Sequence, residues 1–176
     1  MEQSKPIDKV KVLFVCMGNI CRSPSAEAVF HNHIETSDLK PYVEVASAGT
    51  HDYHVGQPAD HRSHKAALDR GIDMGKHRAQ HFKKEHFDEY DYILVMDDTN
   101  YNHVMKMCPN NRQEKVHYFL DFAPQLGVRE VPDPYYGGPD GFEHVLDLIE
   151  AATAGLMSEI RSRYVDPPRL HPEINV

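Results

Sequence analysis

The chain has 176 residues, 40% of them hydrophobic, which is enough for one well-filled core and too little for two comfortable domains. A formal net charge of -8 removes the basic footprint that nucleic acid or an anionic membrane demands of a partner, and no apolar run approaches the roughly 20 residues of a membrane span. Three cysteines do not make a secreted disulfide framework, and Met1-Glu2-Gln3-Ser4-Lys5-Pro6 lacks a signal peptide's apolar core, so a reducing cytoplasm is the expected compartment.

Residues 1–8 read as a polar lead into a first strand at Val10–Val15, where Val12-Leu13-Phe14-Val15 suits a strand buried on both faces. Pro24, followed by Ala26-Glu27-Ala28, marks the start of a helix running from about Ser23 to Glu35, with Ala26, Val29, Phe30, His33 and Ile34 on its buried face. The loop between them begins with Cys16 and ends with Arg22, so both side chains can converge on one small cavity at the helix N-terminus. Unpaired backbone N–H groups and the positive end of the helix dipole suit that cavity to a tetrahedral oxyanion. Gly18 and Asn19 tolerate the positive φ angles of an anion-binding nest, and Arg22 offers a bidentate fork.

A lone Cys after a strand is usually a buried small hydrophobe, and Arg-Ser-Pro alone is a turn and a cap; the combination is more specific. A thiol beside an arginine at a helix N-terminus is favoured as its thiolate, so Cys16 facing a bound phosphate is a nucleophile. Ser23 can donate a hydrogen bond to it and stabilise it as a leaving group. The stretch has no Gly-Lys-Ser/Thr ending, which excludes the phosphate loop of nucleotide-binding proteins.

Val43–Ala48 reads as a second strand, and the loop Gly49–Gly56 beyond its C-terminal end should border the pocket, because ligands of open α/β sheets bind outside the strand C-termini. Pro58 is expected to open a helix that continues through Ala66, Ala67 and Leu68 to a stop at Gly71. His61 and His64 share a face there, but two imidazoles without a third ligand mark a solvated face more often than a metal site. Phe82–Asp88 is a short amphipathic stretch and Tyr92–Met96 a third buried strand. Asp97, Asp98, Thr99 and Asn100 are caps for a helix reaching about Met107.

Val116–Leu120 is the expected fourth strand, followed by an irregular Pro- and Gly-rich segment to Gly141. Phe142, Val145, Leu146, Ile149, Ala152, Leu156 and Ile160 then mark one face of a long C-terminal helix, and residues 165–176, with Pro167, Pro168 and Pro172, read as a flexible tail. Strands alternating with helices give an α/β fold, a parallel sheet with helices on both faces, in one domain spanning 8–164.

Cys16-Met17-Gly18-Asn19-Ile20-Cys21-Arg22-Ser23-Pro24 resembles the signature of the low-molecular-weight protein tyrosine phosphatases. The resemblance continues in Ser47-Ala48-Gly49-Thr50, in Tyr92-Ile93-Leu94-Val95-Met96-Asp97 and in Val131-Pro132-Asp133-Pro134-Tyr135-Tyr136-Gly137. It implies a four-stranded parallel sheet of order 2-1-3-4 and hydrolysis of phosphotyrosine in proteins, and of small aryl phosphates, through a cysteinyl-phosphate intermediate. Cys16 is then the nucleophile and Met17 to Ser23 the phosphate loop, with Arg22 binding the transition state. Displacing a phenolate from phosphorus needs a proton on the leaving oxygen, and the resemblance makes Asp133 the general acid and later base, where local sequence alone leaves a turn residue.

By the same resemblance Tyr53 and Tyr135 line the substrate cleft, Ser47 supports the phosphate loop, and His77 hydrogen-bonds Asn19. Asp97 lies near the pocket floor and Tyr136 supports the cleft. Read locally, these are an exposed loop tyrosine, a surface histidine, a helix cap and a packed tyrosine pair. The resemblance also implies a reversible Cys16–Cys21 disulfide, no metal or other cofactor, phosphate or other oxyanions as product or inhibitor, and a monomer or weak self-association.

Three other functions are weighed against it. An arsenate reductase shares the oxyanion loop but needs a relay of further thiols, and Cys108 is the only other cysteine. A protein-arginine phosphatase usually has Thr where this chain has Ile20. A catalytically inactive phospho-binding module would not need Cys16, Arg22 and Asp133 together.

Overall fold

The first strand is apolar on both faces and feeds two core clusters. The computed structural model describes residues 9–165, so the expectations for residues 1–8 and for the tail from 166 onward lie outside the described residues. In β1 (Val10–Cys16), Val12, Phe14 and Cys16 pack into one core cluster and Leu13 and Val15 into another. That is the period of two that a pleated strand imposes. The first cluster is shared with α1 (Arg22–Glu35), α2 (His61–Leu68) and α5 (Pro139–Ile160), the second with α3 (His86–Glu89) and α4 (Asp98–Met107).

β1 lies between β2 (Val43–Gly49) and β3 (Tyr92–Val95), and β4 (Val116–Tyr118) pairs with β3, all parallel, in the order 2-1-3-4. The register sets Cys16 opposite Gly49, so β1 and β2 end together at the C-terminal edge. No helix among the described residues is long and apolar enough to cross a membrane.

Several boundaries differ from the sequence reading. Cys16 is the last residue of β1, and α1 begins one residue early, at Arg22. Pro58 does not open α2: Asp60 does, its carboxylate accepting the Arg62 and Ser63 N–H groups as an N-cap. Gly71 closes the turn after α2 with φ 81°. β4 stops at Tyr118 because Phe119–Phe122 coil into a 3-10 turn that puts Phe119 edge-on to Phe14, ring centres 4.8 Å apart. Pro139, at the first turn, starts α5 ahead of Phe142. His33 is not on the buried face of α1; it is half exposed and lies 2.7 Å from Glu150 of α5.

Candidate active site

The segment from Cys16 to Ser23 curls around a point just beyond β1, and neighbouring strands hold it there. Thr50 N–H donates to Cys16 O at 2.8 Å and His51 N–H to Met17 O at 3.0 Å, so the loop after β2 fixes the first turn. Backbones approach so closely that a Cβ on Gly49 would lie 2.7 Å from Met17 O. Of the two residues expected to take positive φ, Asn19 does, at 56°, whereas Gly18 is not among the positive-φ residues. Gly18 answers a different need: a Cβ there would stand 3.0 Å from the His54 ring.

Asn19 is fully buried and its side chain is the hub of the loop's hydrogen bonds. Its Oδ1 accepts the Gln80 backbone N–H at 2.9 Å, which fixes the amide orientation. Nδ2 therefore donates to Ser23 Oγ at 2.7 Å and to Ser47 Oγ at 2.9 Å. Ser47 in turn donates to Glu27 Oε1 at 2.5 Å, and Ser23 Oγ lies 3.0 Å from Cys16 Sγ. Ser47 gives its proton to the Glu27 carboxylate, which only accepts, and Ser23 donates to the Cys16 sulfur whenever that sulfur is a thiolate, which likewise only accepts. His77 Nε2 lies 2.7 Å from the Asn19 carbonyl oxygen, which only accepts, so that nitrogen carries the proton.

Arg22 is 2% exposed, and it points across the loop from the first turn of α1. Nη1 donates to Asp97 Oδ2 at 2.6 Å and to Val131 O at 3.1 Å, while Nη2 lies 3.6 Å from Asp133 Oδ2. Burial works against the charged guanidinium, but Cys16, Asp97 and Asp133 outweigh it and its pKa is raised, so the cation persists. Asp97 fills both roles open to it in the sequence: Oδ1 caps α4 by accepting Asn100 N–H at 2.8 Å, and Oδ2 orients Arg22.

Cys16, Met17, Gly18, Ile20, Cys21 and Arg22 line a cavity of about 260 Å³, open on one side between Tyr53, His54, Asp133, Tyr135 and Tyr136. Tyr53 is mostly exposed and stacks on His51, with ring centres 5.1 Å apart. Asp133 reaches the cavity from the loop before α5, its Oδ1 accepting Tyr135 N–H at 3.0 Å. Tyr135 and Tyr136 meet edge to face at 4.9 Å, and Tyr136 is the more exposed. Cys21 is buried, and burial is the main reason its thiol is pushed up to about 12.

The model of the low molecular weight phosphotyrosine protein phosphatases matches residues 11–165. The chain belongs to this family.

A putative low-molecular-weight protein-tyrosine-phosphatase of Synechocystis is 42% identical over 158 residues, which cover 89% of this chain and 100% of the relative. The low molecular weight phosphotyrosine protein phosphatase of Saccharomyces cerevisiae is 39% identical over 139 residues, 77% of this chain and 86% of the relative. In three dimensions the chain superimposes on a crystal structure of protein tyrosine phosphatase from Entamoeba histolytica, with Hepes in its active site, at a TM-score of 0.85. That pair is 39% identical and covers 88% of this chain and 99% of the other.

In this phosphatase Cys16, Met17, Gly18, Ile20, Cys21, Arg22, Tyr53, Asp133, Tyr135 and Tyr136 line one opening, and Asn19, Ser23, Ser47, His77 and Asp97 are bonded behind it, whereas His61, His64 and Cys108 are not part of its lining. Reading the sequence alone missed Glu27, His54, Gln80 and the carbonyl of Val131. Glu27 faces away from the apolar side of α1 as any surface glutamate would, and Gln80 acts partly through its backbone, so neither carried a signal. His64, one of the two histidines considered for metal, lies 2.9 Å from Asp73 Oδ1.

Proposed function

We propose that the protein hydrolyses phosphotyrosine in proteins, and small aryl phosphates, through a cysteinyl-phosphate intermediate. The observation that carries this reading is the convergence of Cys16, Arg22 and Asp133 on one cavity, with the Ser23 hydroxyl 3.0 Å from the sulfur. The phosphoryl group sits over Cys16, its equatorial oxygens held by loop N–H groups and by Arg22, which Asp97 keeps in place. The ring rests between Tyr53 and Tyr135, whose exposed faces supply apolar contact at the mouth.

The Cys16 thiolate attacks phosphorus in line, and Asp133 protonates the departing phenolate oxygen. Asp133, now a carboxylate, takes a proton from water as that water attacks the phosphocysteine. Phosphate leaves, and the thiolate is restored under the Ser23 hydrogen bond. Phosphate or another oxyanion competes for the same cradle as product or inhibitor.

The test sets phosphotyrosine and phosphoarginine peptides side by side, without added metal, for the wild type and Cys16→Ser. Phosphotyrosine turnover that Cys16→Ser abolishes is the expected result. Preference for phosphoarginine overturns the substrate class, and turnover that survives Cys16→Ser overturns the nucleophile.

A further inference from the structure

We propose that Arg62 is a positioning residue for the proton donor, tying the loop that carries Asp133 to the loop that holds phosphate. The inference rests on Asp133 being the general acid. From Val131, whose N–H is bonded to Met96 O at 2.8 Å, to the start of α5 at Pro139, residues 132–138 form neither helix nor strand. A carboxyl group on such a segment needs an external brace to stay within reach of a leaving oxygen, because misplacement by about 1 Å costs as much as ~100-fold in rate.

The brace begins at the phosphate loop. Asp60 N–H donates to Ile20 O at 2.8 Å, which fastens the residue ahead of α2 to the loop backbone. The Asp60 carboxylate then receives Arg62 Nε at 3.1 Å and Nη2 at 2.9 Å, so one edge of the guanidinium is gripped at two points and its plane is set. Nη1, left on the far edge, donates to Tyr135 O at 3.0 Å. The same plane lies over the Tyr135 ring at 5.1 Å and the Phe142 ring at 4.8 Å, reaching the acid loop and the first turn of α5 at once. One residue on, the path closes: Tyr135 N–H donates to Asp133 Oδ1 at 3.0 Å.

Ile20, Asp60, Arg62, Tyr135 and Asp133 thus form one continuous line from the floor of the cavity to its proton donor. Only a planar cation with donors on several edges serves here, since a lysine cannot grip Asp60 and reach Tyr135 O in fixed geometry. Arg62 touches neither phosphate nor leaving group; it acts through Tyr135 on Asp133.

The experiment compares kcat/KM on phenyl phosphate, whose phenolate is nearly as basic as tyrosine's, with kcat/KM on 4-nitrophenyl phosphate, whose leaving group needs little protonation. Arg62→Ala, Arg62→Lys and Asp133→Asn are measured against the wild type, together with inhibition by inorganic phosphate and thermal unfolding. Arg62→Ala is expected to lose roughly tenfold on phenyl phosphate and less than about threefold on 4-nitrophenyl phosphate, with phosphate inhibition unchanged. Arg62→Lys falls between, keeping a charge over the rings but losing the fork. Equal losses on both substrates, or none on either, overturn the positioning role. If Arg62→Ala does not fold, Arg62→Lys carries the same comparison. Equal losses in Asp133→Asn would instead show that the acid assignment fails, whatever Arg62 does.

Discussion

Ser23 Oγ lies 3.0 Å from Cys16 Sγ and 2.7 Å from Asn19 Nδ2, so a hydroxyl held by the amide is in place to donate to the sulfur when it is a thiolate. Its other acceptor, Ala48 O, is distant at 3.5 Å. The bond matters most when phosphocysteine breaks down and sulfur must leave with its electron pair. A hydrogen bond to a charged group is worth about 1.5–3 kcal/mol, so Ser23→Ala should slow that step by about ten- to hundredfold. Rapid quenching should find phosphocysteine accumulating in Ser23→Ala. A fall in rate without accumulation would place the effect in the first step.

The neighbouring Cys21 gives a prediction under oxidation. Burial, helped by the charges of Asp60, Cys16 and Asp133 and opposed by a hydrogen bond with Ser63, pushes its thiol up to about 12. At neutral pH it stays a thiol and does not compete with Cys16 for peroxide. Once peroxide has converted Cys16 to a sulfenic acid, the Cys21 sulfur can displace water from it and close a disulfide. Mild peroxide should therefore give an inactive form that a thiol reductant restores, with a Cys16–Cys21 linkage visible by mass spectrometry. In Cys21→Ser the same treatment should give loss that the reductant does not reverse, and full recovery there would remove Cys21 from the process.

His86 gives stability a pH dependence. It is buried, and its Nδ1 accepts the Lys83 N–H at 2.9 Å. Burial, with nearby Lys83, holds its pKa below the ordinary value despite Glu85 and Glu89. The unfolded chain therefore binds this proton more readily than the folded one, so the contribution is present above the unfolded pKa of about 6.5 and is lost as pH falls below it. Urea unfolding at pH 7.5 and 5.5 should show lower stability at the acidic pH, with part of that slope absent in His86→Gln. An NMR titration placing the His86 midpoint at or above the ordinary value would contradict the assignment.

The parts of this fold legible in the sequence are those set by short-range pattern. Cys16 and Arg22 announced themselves because a strand, a loop and a helix start lie within a few residues, and the unbroken apolar run Val12–Val15 marked β1 as buried on both faces, while its place in the strand order came from the family resemblance. Gly18 does not take the positive φ its residue type allows; what stands over its α-carbon is a ring from another loop, that of His54, which the local sequence could not show. Asp60, Arg62 and Gln80 act on partners from loops far away in sequence, and an Asp-x-Arg beside a helix start looks like any N-cap. The fourth strand was overextended because Phe119 and Leu120 are as apolar as strand residues; tertiary packing turned them into a 3-10 coil against Phe14.

That coil fixes the crossing of α5 as well. A Cβ added to Gly155 would lie only 1.7 Å from Phe122 O and 3.3 Å from Phe122 Cβ, so the helix and the turn after β4 meet at a contact that backbone alone can make. The obstacle is a carbonyl and not the end of a flexible side chain, so relief requires α5 and the turn at Phe119–Phe122 to move apart. Gly155→Ala, which would raise helix propensity by about 1 kcal/mol at an open site, should here destabilise by at least ~2 kcal/mol through overpacking. Because Gly155 is remote from the cavity lining, the variant at a temperature where it remains folded should keep kcat near the wild type. Urea unfolding at 25 °C decides the point: a variant as stable as the wild type would mean that the crossing of α5 over Phe122 is looser than this contact requires.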